Sequence, residues 1–515
     1  MNIKLHNFMN RYWILVVLIL IKMVLQYMVV NPVYELHRDE FLYLDQADHL
    51  AFGYISVPPF MALISKIVQL FGGGLFWVRF FPALFGAVTI VYIWMTIETL
   101  GGSIFSRILG TLALIFSALM RLNILFQPNS FDILAWTMTF FFLIKFIQSD
   151  KSKWLYYLSV IIAIGFYNKY NMIFLIAGLA IGFILTFQRK LFTRPDFWKA
   201  LILSLILLLP NITWQIVNHF PVFQHMKVLK ANQLDNISVA GFLKGQLMFF
   251  FGSLPITIAA LTAFISFRPF RQYRFVGIAF VAVIIIFAML KAKDYYAVGI
   301  YPIIFAFGCV YFDSILSVKW KRLIFPLLIF FNLALSYMVW NVLFPVYTPA
   351  QIREHAASFE KFGMLRWEDG KNHNLPQDFA DMIGWKEMAD KSLAAYKMLP
   401  TEELSNTLII CNNYGQAGAL NYYNRRKMPQ AYAFNTDYIY WLPVLNKIDN
   451  IVLIGKKPAQ NILDMFKECK LTGEVTNEQA REKGTGIYLL TGANTTFTEA
   501  FYKLVEDRKR RLDIF

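Results

Sequence analysis

The sequence predicts a polytopic α-helical membrane protein of about eleven transmembrane helices, with surface-lying helices in the first outer loop and a soluble α/β domain at the C-terminal end. Three observations predict it. Of 515 residues, 57% are apolar and only 16% charged, with a mean hydropathy of +0.48, too apolar for an ordinary soluble enzyme. The apolar residues gather in runs of about 20, the length of helix that crosses a bilayer core. After Phe344 the chain turns charged and amide-rich, without a run long enough to span.

The first apolar run, Tyr12 to Val30, exceeds a signal-peptide core and is followed by no small-residue cleavage site, so it reads as a retained first helix. Further runs cover 75–98, 108–126, 131–148, 154–168, 171–187, 199–217, 243–266, 275–290, 296–313 and 323–344. Lys and Arg concentrate in alternate loops: Lys4 and Arg11; Arg107; Lys151 and Lys153; Arg189, Lys190, Arg194 and Lys199; Arg268, Arg271 and Arg274; Lys319, Lys321 and Arg322. Short cytoplasmic loops carry such an excess, which sets the N-terminus inside, and an odd number of spans then sets the tail outside. The net charge of +16 is thereby accounted for by loops, and no nucleic acid partner is expected. The expected division is a transmembrane domain, 1–345, and an extracytoplasmic domain, 346–515.

Within the tail, Thr407–Cys411, Asn450–Ile454 and Gly486–Leu490 read as buried strands, and 376–398 and 458–469 as amphipathic helices, an α/β layer pattern. The basic end, Arg508 to Arg511, reads as a solvated helix end. Cys309, Cys411 and Cys469 form no disulfide framework, CxxC pair or zinc pattern, although a Cys411–Cys469 bridge stays open.

The first outer loop is the most informative segment. After Asn31-Pro32 it reads His37-Arg38-Asp39-Glu40-Phe41-Leu42-Tyr43-Leu44-Asp45-Gln46, and acidic residues concentrate here. A helix beginning at Asp39 puts Asp39, Tyr43 and Gln46 on one face, and Leu44, Leu50 and Ala51 on an apolar side suited to the membrane surface. Asp39 is then a candidate base, with Glu40 beside it and Tyr43 in support. Asp39 is equally suited to cap the helix, since Asp is a favoured cap whose charge complements the dipole. Residues 60–71 suit a second surface-lying helix ending at Gly72-Gly73-Gly74. No Gly-Lys-Ser/Thr follows, so these glycines read as a flexible turn rather than a phosphate loop.

Basic residues on the outer side run against the charge rule. Lys169 lies in Tyr167-Asn168-Lys169-Tyr170-Asn171, and Lys291 and Lys293 in Lys291-Ala292-Lys293-Asp294-Tyr295-Tyr296, while Arg79 and Arg121 sit near the outer ends of their spans. Singly each suits a snorkelling anchor. Together they suggest an anion site at the outer mouth of the bundle, where a phosphate sits beside lipid tails. Asp132, opening its span, either holds one of those cations or caps its helix. Lys22, costly in hydrocarbon, should face protein or a watery cavity. His37, His49, His219 and His225 have no metal-ligand spacing, so no metal site is expected; no cofactor is assigned, and a need for a divalent cation stays open. Tyr295, Tyr414, Gln416 and Tyr422 are candidates for an acceptor-facing surface.

An outward carboxylate and a cationic mouth beside lipid suit transfer of a sugar from a polyprenyl phosphate. One base deprotonates the acceptor hydroxyl, and the leaving phosphate needs positive charge more than a general acid. The rival from another class is a multi-span transporter or lipid flippase. Transporters gather substrate groups near the midplane at broken helices, whereas these candidates cluster at the outer mouth.

The pair Asp39-Glu40, Gly53-Tyr54 with Pro58-Pro59, Asp132, Pro210, Trp214 and His219-Phe220-Pro221, Lys291-Ala292-Lys293-Asp294-Tyr295-Tyr296 with Tyr301-Pro302, and Asn413-Tyr414-Gly415-Gln416-Ala417-Gly418-Ala419 resemble, in order and spacing, the bacterial family 39 glycosyltransferases, protein-mannosyltransferase-like enzymes of GT-C fold. The resemblance covers most of the chain. It implies an inverting hexosyl- or pentosyltransferase on the outer face of the bacterial inner membrane, with an undecaprenyl-phosphate sugar as donor and Asp39 as base. It also implies that Lys169, Lys291 and Lys293 meet the carrier phosphate. The acceptor it implies is an envelope glycolipid such as lipopolysaccharide, a polysaccharide or a protein. The aminoarabinose transferases of this family carry Glu-Lys where Ser56-Val57 precede Pro58-Pro59 here, which argues against that sugar and removes the acidic metal ligand of that branch.

Overall fold

The apolar runs fold as helices. A computed structural model describes residues 2–511, except the side chains of 2–11, 232 and 511; those of Lys4, Arg11 and Arg511 therefore lie outside the described residues. Six helices are long and apolar enough to cross a membrane: Leu75–Thr99, Asn129–Ser149, Pro195–Val217, Arg268–Met289, Asp294–Ile315 and Val318–Leu343. Two further pairs qualify only as bent spans, Met172–Ile184 with Phe187–Thr193 (109°) and Val239–Phe249 with Phe251–Ser266 (69°).

Length and apolarity thus give six spans, or eight with the bent pairs, among the described residues, against about eleven expected from runs of bilayer length. Three expected runs do not meet that length, the first because it counts only as Tyr12–Met28, the side chains before it lying outside the described residues. The run 108–126 is a helix that stops at Ile115 and a single turn, Leu119–Leu122. Between them the Ser117 hydroxyl donates to the Leu114 carbonyl and accepts from the Leu119 N–H, competing with the helical ladder. The run 154–168 is a 16-residue helix, Lys153–Asn168.

The chain divides into two compact units. One comprises the chain up to Val30, Phe76–Trp214 and Gln233–Val346; the other comprises Asn31–Leu75, Gln215–Asn232 and the chain from Tyr347 onward. Residues 31–75 of the first outer loop thus cluster with the tail.

In the spanning unit Lys22 is buried, and its ammonium donates to the Ala83 carbonyl at 2.6 Å, the protein-facing partner that a cation in an apolar helix requires.

The tail carries a five-stranded sheet: β1 (Thr407–Cys411), β2 (Ala431–Ala433), β3 (Asn450–Gly455), β4 (Phe466–Glu474) and β5 (Gly486–Ala493), ordered β2-β1-β3-β5-β4. β1 is parallel to β2 and β3, and β5 is antiparallel to β3 and β4. The interior strands β1 and β3 are almost wholly buried, which is why they read as continuous apolar runs. Leu408, Ile410, Ile451 and Leu490 pack with Phe497, Phe501 and Val505 of the last helix and with Ile55 of the outer loop.

Two expectations are corrected. Residues 458–469 form a short turn, Gln460–Leu463, and the start of β4, not an amphipathic helix. β4 is an edge strand, where charged side chains such as Lys467, Glu468 and Lys470 face water and mask the alternation. Cys411 and Cys469 are free thiols. Their strands are separated by β3 and β5, roughly 14 Å at the usual strand spacing, beyond the reach of a disulfide.

Candidate functional site

In the unit that joins loop and tail, the outer loop folds as two helices, Arg38–Asp45 and Phe60–Leu70, as its pattern predicts. His37 is the N-cap of the first. Its Nδ1 accepts from the Asp39 N–H at 3.2 Å, and Glu40 Oε2 accepts from the His37 N–H at 2.6 Å, closing a capping box. Asp39 therefore does not cap its helix, and Glu40 is fully buried as half of the cap. The Asp39 Oδ1 instead accepts from the Tyr414 hydroxyl at 2.7 Å. Tyr43 and Gln46 are buried, and Gln46 Nε2 donates to Asp437 at 3.1 Å.

Tyr414 opens the tail helix Tyr414–Tyr423, whose start is fixed by Asn413: its Oδ1 accepts from the N–H groups of Gly415 and Gln416. Glycine lets this helix lie against Arg38–Asp45. A Cβ on Gly415 would stand 2.5 Å from Arg38 Cγ, and one on Gly418 2.6 Å from Phe41 Cβ. The Arg38 guanidinium sits 4.5 Å over the Tyr414 ring. Gln416 is buried and turns away from Asp39, donating to Glu482 at 2.7 Å. The Phe41 ring packs on Tyr422, Tyr423 and Trp385.

The electrostatics around Asp39 are balanced by groups far apart in sequence. Asp381 accepts from Arg481 through both oxygens at 2.9 Å and lies 3.8 Å from His37 Nε2. Burial works against a protonated His37, but Asp39, Asp381, Asp378 and Glu40 together outweigh it and hold its pKa above the ordinary value. Burial and the neighbouring Asp39 push the Tyr414 phenol well above its usual range, so Tyr414 stays a hydrogen-bond donor. Arg38, Asp381, Arg481 and Glu482 were not legible as site residues, because no local pattern joins them to the loop.

In the spanning unit, Asp132, Lys169, Lys293 and Tyr295 come together. Asp132 accepts from Asn171 Nδ2 at 2.8 Å, and Lys169 Nζ donates to Asn129 Oδ1 at 2.9 Å. The Lys169 ammonium stands 4.3 Å from the Tyr296 ring centre and 5.2 Å from that of Tyr295, and it feels both Asp132 and Lys293. Asp132 thus ties two helix starts while facing a cation. Arg121 donates to the Leu343 carbonyl at 3.0 Å and acts on Asp294, next to Lys293. Arg79 is buried with Tyr27 in its field, and Lys291 is exposed at a positive φ of 49°. Among the described residues no group of three or more His, Cys, Asp or Glu is placed to hold a metal ion.

Two buried carboxylates complete the loop–tail unit. Asp45 Oδ2 accepts from Tyr438 at 2.7 Å and from Asn421 at 2.6 Å, and burial raises its pKa from 3.8 to about 7. Asp437, accepting from the Ile55 N–H at 2.7 Å, is raised to about 6 by the same desolvation. The native state therefore keeps the Asp45 proton in a range where the unfolded chain has lost it. This contribution is full below about pH 4 and is lost as pH rises to about 7. The unfolding midpoint of the tail should fall between pH 4.5 and 7.5 by a component that is absent in Asp45→Asn, whose amide oxygen still accepts from Tyr438 and Asn421; thermal melts followed by circular dichroism read it.

Residues 56–214 match the family described as dolichyl-phosphate-mannose-protein mannosyltransferase. The chain is similar to the crystal structure of ArnT from Cupriavidus metallidurans in the apo state, with a TM-score of 0.63 and 13% identity over 93% of this chain and 98% of that one. It is similar also to the same protein bound to undecaprenyl phosphate, with a TM-score of 0.59, 13% identity and the same coverage. Comparison with the curated protein sequences gives no match. The match over residues 56–214 agrees with the protein-mannosyltransferase-like resemblance of the sequence, and the likeness to ArnT shows a shared GT-C fold.

Proposed function

We propose that the chain is an inverting glycosyltransferase that moves a sugar from a polyprenyl phosphate, undecaprenyl phosphate by analogy with its structural relative, to a hydroxyl or phosphate of an envelope glycolipid, polysaccharide or protein. The observation that carries this reading is the Asp39 carboxylate at the start of the outer-loop helix, held by the Tyr414 hydroxyl of the tail. Asp39 takes the acceptor proton, the acceptor oxygen attacks the anomeric carbon from the face opposite the phosphate, and the bond to the carrier phosphate breaks. The electron pair leaves with the phosphate, whose charge Lys169 and Lys293 balance, with Arg79, Arg121 and Lys291 adding to the positive field. The protein is a multi-pass component of the bacterial inner membrane, its N-terminus cytoplasmic and its tail extracytoplasmic.

The test is sugar transfer by the purified chain from a set of polyprenyl-phosphate sugars to an envelope extract, read by mass spectrometry as acceptor plus one sugar residue. In that assay Tyr414→Phe should lower kcat roughly tenfold, the value of one hydrogen bond to a charged group. Tyr414 is a positioning residue, and its loss also removes a donor that favours the ionised carboxylate. The acid limb of the pH–rate profile should therefore move to higher pH. An unchanged profile would assign Tyr414 a structural role only.

A further inference from the structure

The parallel helices Arg38–Asp45 and Tyr414–Tyr423 hold a second feature at their far ends. Their starts bring Asp39 to Tyr414, and their ends bring Asp45 to Asn421, six and seven residues further along, roughly 9–10 Å at helical rise. There a cavity of about 530 Å³ opens, within the range of small-ligand sites. Its walls are the Gly72–Gly74 turn, the end of the tail helix and the loop that follows it.

Leu44, Leu420, Met428 and Pro429 give the lining an apolar part, and its polar groups are already ordered. Asn421 bridges Asp45 and both main-chain groups of Ala431. Asp48 accepts from Arg425 through both oxygens at 3.1 Å and from Gln69 Nε2 at 3.1 Å. Carboxylates and amides fixed in this way present acceptors and donors to hydroxyl groups, and the nearby Tyr422 and Tyr423 rings offer faces to C–H surfaces. On the opposite wall Gly72 and Gly73 take φ of +94° and +70°, and a Cβ at any of the three glycines would meet nothing within 4 Å, so no side chain narrows the space.

Arg426 is the exception to the pairing. It lines the cavity, is exposed, and has no hydrogen-bond or ion-pair partner among the described residues. It also holds a φ of +65°, a conformation that costs a long side chain and persists where the surroundings impose it.

We infer that this cavity is a subsite for a sugar unit of the acceptor that bears an anionic group, so that the acceptor is itself a glycan and not a protein. The inference rests on the glycosyltransferase reading above. The helix pair sets the geometry: an acceptor lying along it presents a hydroxyl to Asp39 while its neighbouring unit occupies the cavity, hydroxyls on Asp45, Asp48 and Asn421 and the anion on Arg426.

The test is calorimetric titration of the full chain in detergent, without donor, with a phosphorylated disaccharide, the neutral disaccharide and inorganic phosphate. The phosphorylated disaccharide should bind best. Gly74→Trp, which fills the cavity from a position of ordinary φ, should weaken it at least tenfold, and Arg426→Gln should erase the preference over the neutral sugar. Absence of binding, equal binding to inorganic phosphate, or unchanged binding in a folded Gly74→Trp protein would overturn the subsite. Arg426→Gln removes no packing and keeps the test open if Gly74→Trp fails to fold. Because no turnover is needed, binding without any transfer in the donor assay would overturn the enzyme reading alone, and transfer without binding would overturn the subsite alone.

Discussion

Replacing Asp39 by asparagine should lower sugar transfer about a thousandfold, within the range of a general base that is lost outright. The substitution is close to isosteric, and the amide oxygen still accepts from the Tyr414 hydroxyl, so the contact between loop and tail survives. The His37–Glu40 capping box does not involve the Asp39 side chain, so the helix start survives too. The expected result is therefore a folded protein with a wild-type unfolding midpoint and almost no product. Single-turnover transfer, together with a melt followed by circular dichroism, measures both. Transfer at the wild-type rate would remove Asp39 from the mechanism.

The second large effect is on stability. In Gly418→Val the new Cβ stands 2.6 Å from Phe41 Cβ, 2.8 Å from the Tyr438 hydroxyl and 3.0 Å from the Phe41 carbonyl carbon. Two of these neighbours belong to the facing helix at or next to its backbone and cannot swing away, so the helices must separate. Overpacking of this kind costs about 3 kcal/mol. The Asp39–Tyr414 contact lies one turn away and opens with it, so transfer should fall alongside the unfolding midpoint. A Gly418→Val protein with wild-type unfolding in denaturant would show that the helix pair is looser than described.

Much of this was legible in the sequence where the signal is local. The strand cores Thr407–Cys411, Asn450–Ile454 and Gly486–Leu490 appear where continuous apolar runs predict them, and the surface helix begins within one residue of its expected start. Local patterns misled where a residue filled an unusual role. The capping box at His37 and Glu40 was missed because histidine stands where Ser, Thr, Asp or Asn usually signals a cap. Asp39 therefore looks equally suited to cap, and Glu40 looks like a partner of the base, whereas its carboxylate closes the cap. The strand β4 was missed because edge position permits charges that mimic a helix face. The bends at Ser117, Leu185 and Phe250 were not legible, because a break in a helix leaves the hydropathy of its run unchanged.

The site partners were beyond local reading for a different reason. Tyr414 reaches Asp39 across 375 residues of chain, and Asn421 reaches Asp45 across 376. Such contacts come from the packing of one helix on another, which Gly415 and Gly418 permit and which no spacing rule within either segment encodes.

The purified protein, given a labelled polyprenyl-phosphate sugar and an envelope glycan fraction in sealed vesicles, should yield a product heavier than the acceptor by one sugar residue, with inverted anomeric configuration and one carrier phosphate released per sugar moved. Passage of the intact lipid-linked sugar across the vesicle membrane, with no glycosylated product, would contradict the glycosyltransferase reading.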